Sequence, residues 1–150
     1  MTYGLWLADG TFSVAPHQFL QLFTIHGFYS GRVFPFVVMF MTRRIQTMYN
    51  TLLSKLVQLS SDRFRINLSA KFLSTDFELA SINAFQDIFP SVVVNGCHFH
   101  LCQAVIRKVG DVGHKVTYRD DEQFAIHVIM LMALAFLPTD SVKEGFAIIQ

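Results

Sequence analysis

Two sets of residues in this sequence have the types and spacing to do chemistry. The stretch NGCHFHLC, residues 95–102, holds Cys97, His98, His100 and Cys102. Such a cluster raises three possibilities: a zinc site, a disulfide or a Cys–His nucleophile. Structural zinc takes four ligands, usually as two pairs, and no second Cys or His pair follows. A Cys97–Cys102 disulfide would have to bridge a strand end and a helix. A nucleophilic pair needs a third group to orient it, and the sequence points to none. The second set is carboxylate. Asp9, in LADGTF, falls at or beyond the middle of a strand-like run, and Asp76, in LSTDFELA, falls where a strand-like run becomes helical. An acid inside a sheet-forming run is costly unless it is paired or bound to a cation. Strand ends of α/β sheets are also where active sites gather. If the two strands are neighbours, the carboxylates converge. Paired carboxylates suit Mg²⁺ and, in two-metal sites, in-line phosphoryl transfer. A plainer reading stays open beside this one. Asp-Gly is a common turn dipeptide, and Thr75 or Asp76 can cap a helix with Glu78 in its first turn.

The elements that must position these residues are legible from period and breakers. YGLWLADGTFSVA places Tyr3, Leu5 and Leu7 on one parity and reads as a strand. QFLQLFTIHGFY and GRVFPFVVMFMT extend it into an antiparallel meander, with a break at Gly27 and with Pro35 predicting an edge strand or a bulge. The period then becomes helical: Ile45, Met48, Tyr49, Leu52, Leu53 and Leu56 recur at three and four. RINLSAKFLSTDF returns to strand. ELASINAFQDIFP is a helix, with Leu79, Ile82, Phe85 and Ile88 on one side and Pro90 as its stop. SVVVNGC predicts a short buried strand. HLCQAVIRKVGDVG is helical as far as Gly110. DEQFAIHVIMLMALAF predicts a long buried helix with His127 as a core histidine, and Asp140 caps a last helix. Strand–helix alternation after a meander implies a mixed sheet with helices on its faces.

Composition narrows the class. The chain has 150 residues, enough for one domain. It is 52% apolar and 15% charged, with 16 Phe, against roughly 45–50% and about 25% in ordinary domains. The excess predicts a large core, or an apolar face that meets further chain. A net charge of +1 gives no basic nucleic-acid platform. The pairs Arg43–Arg44, Arg63–Arg65 and Arg107–Lys108 read as solvated faces. No run reaches about 18 apolar residues, so a membrane role lacks its segment. Two cysteines and no signal peptide predict a reducing compartment.

Three stretches, LADGTFSVAPHQFLQLFTIHG, FLSTDFELASINAFQDIFPSVVVNGCHFHLCQAVIRKV and ALAFLPTDSV, occur in this order. Together they resemble the catalytic region of Mutator-like element (MULE) transposases, from about Trp6 onward. The resemblance implies an α/β, RNase H-like fold. That is a mixed five-stranded sheet, with an antiparallel meander and then parallel strands, flanked by helices and followed by the start of a helical insertion. The core would span 1–105 and the helical segment 106–150. It implies that Asp9 and Asp76 are catalytic acids that hold Mg²⁺ or Mn²⁺ while water or a DNA 3′-hydroxyl attacks a phosphodiester. It also implies transposon-end and target DNA as partners, the remainder of a longer transposase as another, and a nuclear location. Cys97 and His100 match the family's Cys-x-x-His mark, which carries no assigned role.

Such an enzyme needs a third acid, a Glu on a later helix. Glu144 lies in SVKEGFAII, which resembles the helical insertion, and Glu122 lies in the polar run RDDEQF. Neither fits the catalytic Glu, and no zinc-binding module precedes Asp9. The expectation is therefore a partial transposase catalytic domain, a fragment or decayed copy, without strand transfer of its own. The alternative is a domesticated or remnant domain that binds DNA or protein without catalysis.

Overall fold

A computed structural model describes residues 4–150; Tyr3 lies outside them. Three strands open the fold: β1 (Leu5–Thr11), β2 (Gln21–Tyr29) and β3 (Arg32–Met41). They form the expected antiparallel meander. Alternation decides which residues go inside. Trp6 and Ala8 on β1, and Phe23 and Ile25 on β2, all face the core. Gly27 does not break β2, which runs on to a two-residue hairpin where Ser30 and Gly31 both take positive φ, 47° and 75°. Pro35 behaves as its chemistry requires. It lies on the edge strand of the sheet, and the register slips between Ile25 and His26. The slip leaves Phe36 without a cross-strand partner, and its ring meets Trp6 edge-on at 5.0 Å.

Helix α1 (Gln46–Phe64) buries Tyr49 and Leu53 along the predicted stripe. It ends where Arg65 turns left-handed and its N–H reaches the Ser61 carbonyl. Strand β4 (Phe72–Thr75) runs parallel to β1, α2 (Leu79–Ile88) follows, and β5 (Val93–Gly96) runs parallel to β4. The five-stranded order is β3-β2-β1-β4-β5. This α/β arrangement agrees with the RNase H-like expectation. One sheet face, with α1 and α2, makes the core of Trp6, Phe23, Ile25, Met41, Tyr49, Leu53, Leu73 and Phe85.

Two expectations fail here. The inward side of α2 is Ser81, Ala84 and Phe85, while Leu79 stands exposed at the helix start. The β-branched strand β5 is an edge strand, not a buried one, and Val93 is exposed. Phe72, Val38 and Phe40 are exposed as well, on the sheet face opposite Trp6 and Ala8. An apolar run records a tendency to be covered, and a strand buried on one side only can still carry it.

The chain divides into two compact units, the first ending at Gly96 and the second being Cys97–Gln150. The second unit is helical: α3 (His98–Asp111), α4 (Lys115–Asp120), α5 (Glu122–Ala133), a 3₁₀ turn (Leu134–Phe136) and α6 (Val142–Ile149). Helix α3 passes through Gly110, and α4 interrupts the expected polar loop. The Asp121 carboxylate caps α5 by accepting the Phe124 N–H. Of α5 only Val128 and Met132 are buried, so the expected core helix is half solvated, because so small a unit cannot enclose a helix. His127 is therefore exposed, its Nδ1 2.7 Å from the Gln123 carbonyl. Ser141, not Asp140, takes the cap position of α6. Among the described residues no helix is long and apolar enough to cross a membrane.

Candidate active site

Strands β1 and β4 pair in parallel from Leu5↔Phe72 through Trp6↔Leu73 and Leu7↔Ser74 to Ala8↔Thr75. Continuing that register sets Asp9, inside β1, beside Asp76, the first residue after β4, and paired strands lie about 4.8 Å apart. Both line one cleft, together with Gly10, Gln21, Arg44, Glu78 and Ser81.

Neither plainer reading of the acids survives. Asp9 and Gly10 lie inside β1, paired with Thr24 and Phe23, and make no turn. Gly10 is there for room, because a Cβ on it would collide with the amide oxygen of Gln21. Asp76 does not cap α2. Its Oδ1 accepts the adjacent Phe77 N–H at 2.6 Å, as Asp9 Oδ1 accepts the Gly10 N–H at 2.8 Å. Glu78 holds the cap position of α2 without a capping hydrogen bond.

The Glu78 carboxylate turns instead to Arg44, just before α1, and to Tyr49 on α1. Arg44 Nη2 donates to it at 2.6 Å and Arg44 Nε at 2.9 Å, while the Tyr49 hydroxyl lies 3.1 Å from one oxygen and 3.2 Å from the other. Arg44, read from sequence as part of a solvated pair, is thus committed to this cleft, and its hydrogen bond to Glu78 raises its pKa further. Tyr49 is fully buried. Burial pushes its phenol up to about 12; the Gln21 hydrogen bond opposes this and Glu78 adds to it. Because a carboxylate only accepts, Tyr49 donates to Glu78 and must accept from Gln21 Nε2 at 2.7 Å. That fixes the Gln21 amide: nitrogen toward Tyr49 and Met41, oxygen toward Gly10.

Gln21, Arg44, Tyr49 and Ser81 were not legible as site residues. A signal existed for Gln21, which shares its strand parity with the buried Phe23 and Ile25. A polar side chain on a core parity needs a partner. Phe77 contributes packing, because a Cβ on Gly96 would lie 2.5 Å from its ring. The Thr-Asp-Phe-Glu turn and the end of β5 are therefore fitted to each other.

The cysteine–histidine cluster belongs to the second unit. Cys97 occupies the cap position of α3, and both cysteines are free thiols. One turn apart on α3, Cys102 Sγ lies 3.5 Å from His98 Nε2, which is itself 3.3 Å from the Met132 carbonyl. The His98 ring packs on Phe136, and His100 meets Phe99 edge-on. The stretch is a strand-to-helix turn, as read from sequence. Glu122 and Glu144 sit in the first turns of α5 and α6. Among the described residues, no group of three or more His, Cys, Asp and Glu could hold a metal ion.

Within the cleft, the fit to a hard cation rests on oxygen donors. Two carboxylates, one on β1 and one directly after β4, line the cleft, and the buried Gln21 Oε1 and Ser81 Oγ have no hydrogen-bond partner among the described residues. Mg²⁺ and Mn²⁺ take one or two carboxylates and keep waters that such groups can hold. The family model described as MULE transposase domain matches residues 5–104. Among curated proteins, none matches the sequence.

Proposed function

The chain belongs to the MULE transposase domain family, and on that premise we propose that its first unit is a divalent-metal phosphodiester-cleaving core acting on DNA. One observation carries the reading: the β1–β4 register brings Asp9 and Asp76 side by side at one cleft. In this proposal Asp9 and Asp76 hold the metal through carboxylate oxygens. A bound cation would supply activation of the attacking water or 3′-hydroxyl and offset charge on the phosphate. The chain's own groups set the ground state for that chemistry. The Gly10 and Phe77 N–H groups orient one oxygen of each aspartate. Arg44 and Tyr49 occupy Glu78, so the third carboxylate at the cleft is committed to protein partners.

With Glu78 engaged by Arg44 and Tyr49, we expect these 150 residues to bind Mg²⁺ or Mn²⁺ through Asp9 and Asp76 without strand transfer. The test is thermal. Mn²⁺ should raise the melting temperature of the wild type, because a ligand of the folded state stabilises it, and should leave Asp76→Asn and Asp9→Asn unmoved. An equal shift in all three proteins would remove the metal from this cleft.

A further inference from the structure

Two polar groups in the cleft are buried and unused by the protein. Gln21 is 1% exposed and Ser81 2% exposed. Gln21 Oε1 and Ser81 Oγ have no hydrogen-bond partner among the described residues, yet both residues line the cleft that holds Asp9 and Asp76. Buried polar atoms are nearly always satisfied, by protein or by ordered water. The Gln21 amide oxygen cannot turn away to find a partner. The Gln21 amide is held through Nε2 by Tyr49, and Tyr49 is held by Glu78. Gly10 leaves the space the amide oxygen occupies. Ser81 is fixed on the inward side of α2.

We infer that Gln21 and Ser81 are positioning residues for the metal, holding with Oε1 and Oγ a water ligand of the cation bound by Asp9 and Asp76. This inference rests on the proposed metal reading and adds its outer layer. The geometry suits the task, since the carbonyl can only accept from such a water and the hydroxyl can donate or accept. Mg²⁺ and Mn²⁺ dehydrate reluctantly and keep waters of this kind. The Glu78–Tyr49–Gln21 chain gives the amide oxygen one orientation, so the water site is prepared before the metal arrives.

Mn²⁺ titration of the full chain, followed by electron paramagnetic resonance and water-proton relaxation, tests this. The proteins are wild type, Asp76→Asn, Ser81→Ala and Gln21→Met. Outer-layer partners typically contribute about 10–100-fold in metal affinity. Ser81→Ala should therefore weaken Mn²⁺ binding by about ten-fold and change the relaxation enhancement per bound ion, while melting in EDTA stays near the wild type. Gln21→Met should weaken it at least as much. If it does not fold, Ser81→Ala carries the test alone. Wild-type Mn²⁺ affinity in the folded variants, with loss only in Asp76→Asn, would overturn this inference and leave the aspartate site standing. No Mn²⁺ binding by the wild type would overturn both.

Discussion

The amide oxygen of Gln21 occupies the space that a side chain on residue 10 would need. The glycine of Asp-Gly therefore has a packing reason, and the reason lies on the neighbouring strand. Gly10→Ala should cost about 1–3 kcal/mol, the usual penalty for overpacking a filled site. Gln21 cannot yield cheaply, because it is buried and its nitrogen is tied to Tyr49. Urea unfolding measures the cost. A double-mutant cycle with Gln21→Ala should recover much of it, since the two positions collide directly. Additive effects would show that the clash is not the cause.

Tyr49 links α1 to the cleft, and its removal should be felt twice. Tyr49→Phe leaves the Gln21 nitrogen and the Glu78 carboxylate without their shared partner, at roughly 1–3 kcal/mol for a stranded buried group. The pH dependence has a definite sign. The folded phenol is raised to about 12, above the ordinary value near 10. The neutral form is thus favoured in the folded state. The stabilisation is whole below about pH 10 and is lost as pH climbs to about 12. Tyrosinate absorbance should show one of the four tyrosines titrating late in the wild type, and Tyr49→Phe should remove that late step. If the late step persists in Tyr49→Phe, the buried phenol is another residue.

Much of this fold could be read from local pattern, and the limits of the reading share one cause. The three-four period placed Tyr49 and Leu53 inside, whereas in β1 the buried parity is Trp6 and Ala8, not the Leu5 and Leu7 that the pattern singled out. Pro35 announced an edge or a bulge, and the strand has both. Asp9, inside a strand-like run, and Asp76, at a strand-to-helix handover, stood out by position, and the family resemblance pointed to both as acids of the site, although only the β1–β4 pairing makes them neighbours. The errors at β5, α5 and Leu79 concern coverage. Whether an apolar side chain meets a partner depends on elements distant in sequence, and no local period records that. Ser81 and Arg44 escaped notice for the same reason, and the core parity of Gln21 marked it as buried without saying what it serves. Their meaning comes from Gly10, Asp76 and Glu78, which lie on other elements.

Gly96 provides a second packing test, with a different expected size. A Cβ there would press on the Phe77 ring, but that ring is exposed and can swing toward solvent. Gly96→Ala should therefore cost less than Gly10→Ala, about 1 kcal/mol or under. Its effect should appear instead in Mn²⁺ binding at the proposed Asp9–Asp76 site. Phe77 follows Asp76 and donates its N–H to the Asp76 carboxylate, so a displaced ring disturbs that carboxylate. We expect weaker Mn²⁺ binding with little change in the EDTA melting temperature. A large stability loss with unchanged Mn²⁺ affinity would contradict this division.

Catalysis by these 150 residues provides the sharpest test of the acid count. Asp9, Asp76 and Glu78 all line the cleft, but Glu78 is engaged by Arg44 and Tyr49. The Arg44–Glu78 pair is partly exposed, with side-chain exposures of 36% and 16%, and such pairs contribute roughly 0–1 kcal/mol. Arg44→Ala should thus fold almost as well as the wild type. It should also bind Mn²⁺ more tightly, because it removes a positive charge and leaves Glu78 without its guanidinium. Plasmid nicking and strand transfer with Mg²⁺ or Mn²⁺ should stay at background in the wild type. Robust cleavage by the wild type, abolished by Asp9→Asn, would mean that two aspartates suffice or that Glu78 leaves Arg44 to serve as the third acid. Arg44→Ala separates these outcomes: its rate rises if Glu78 is recruited and stays level if the aspartates act alone.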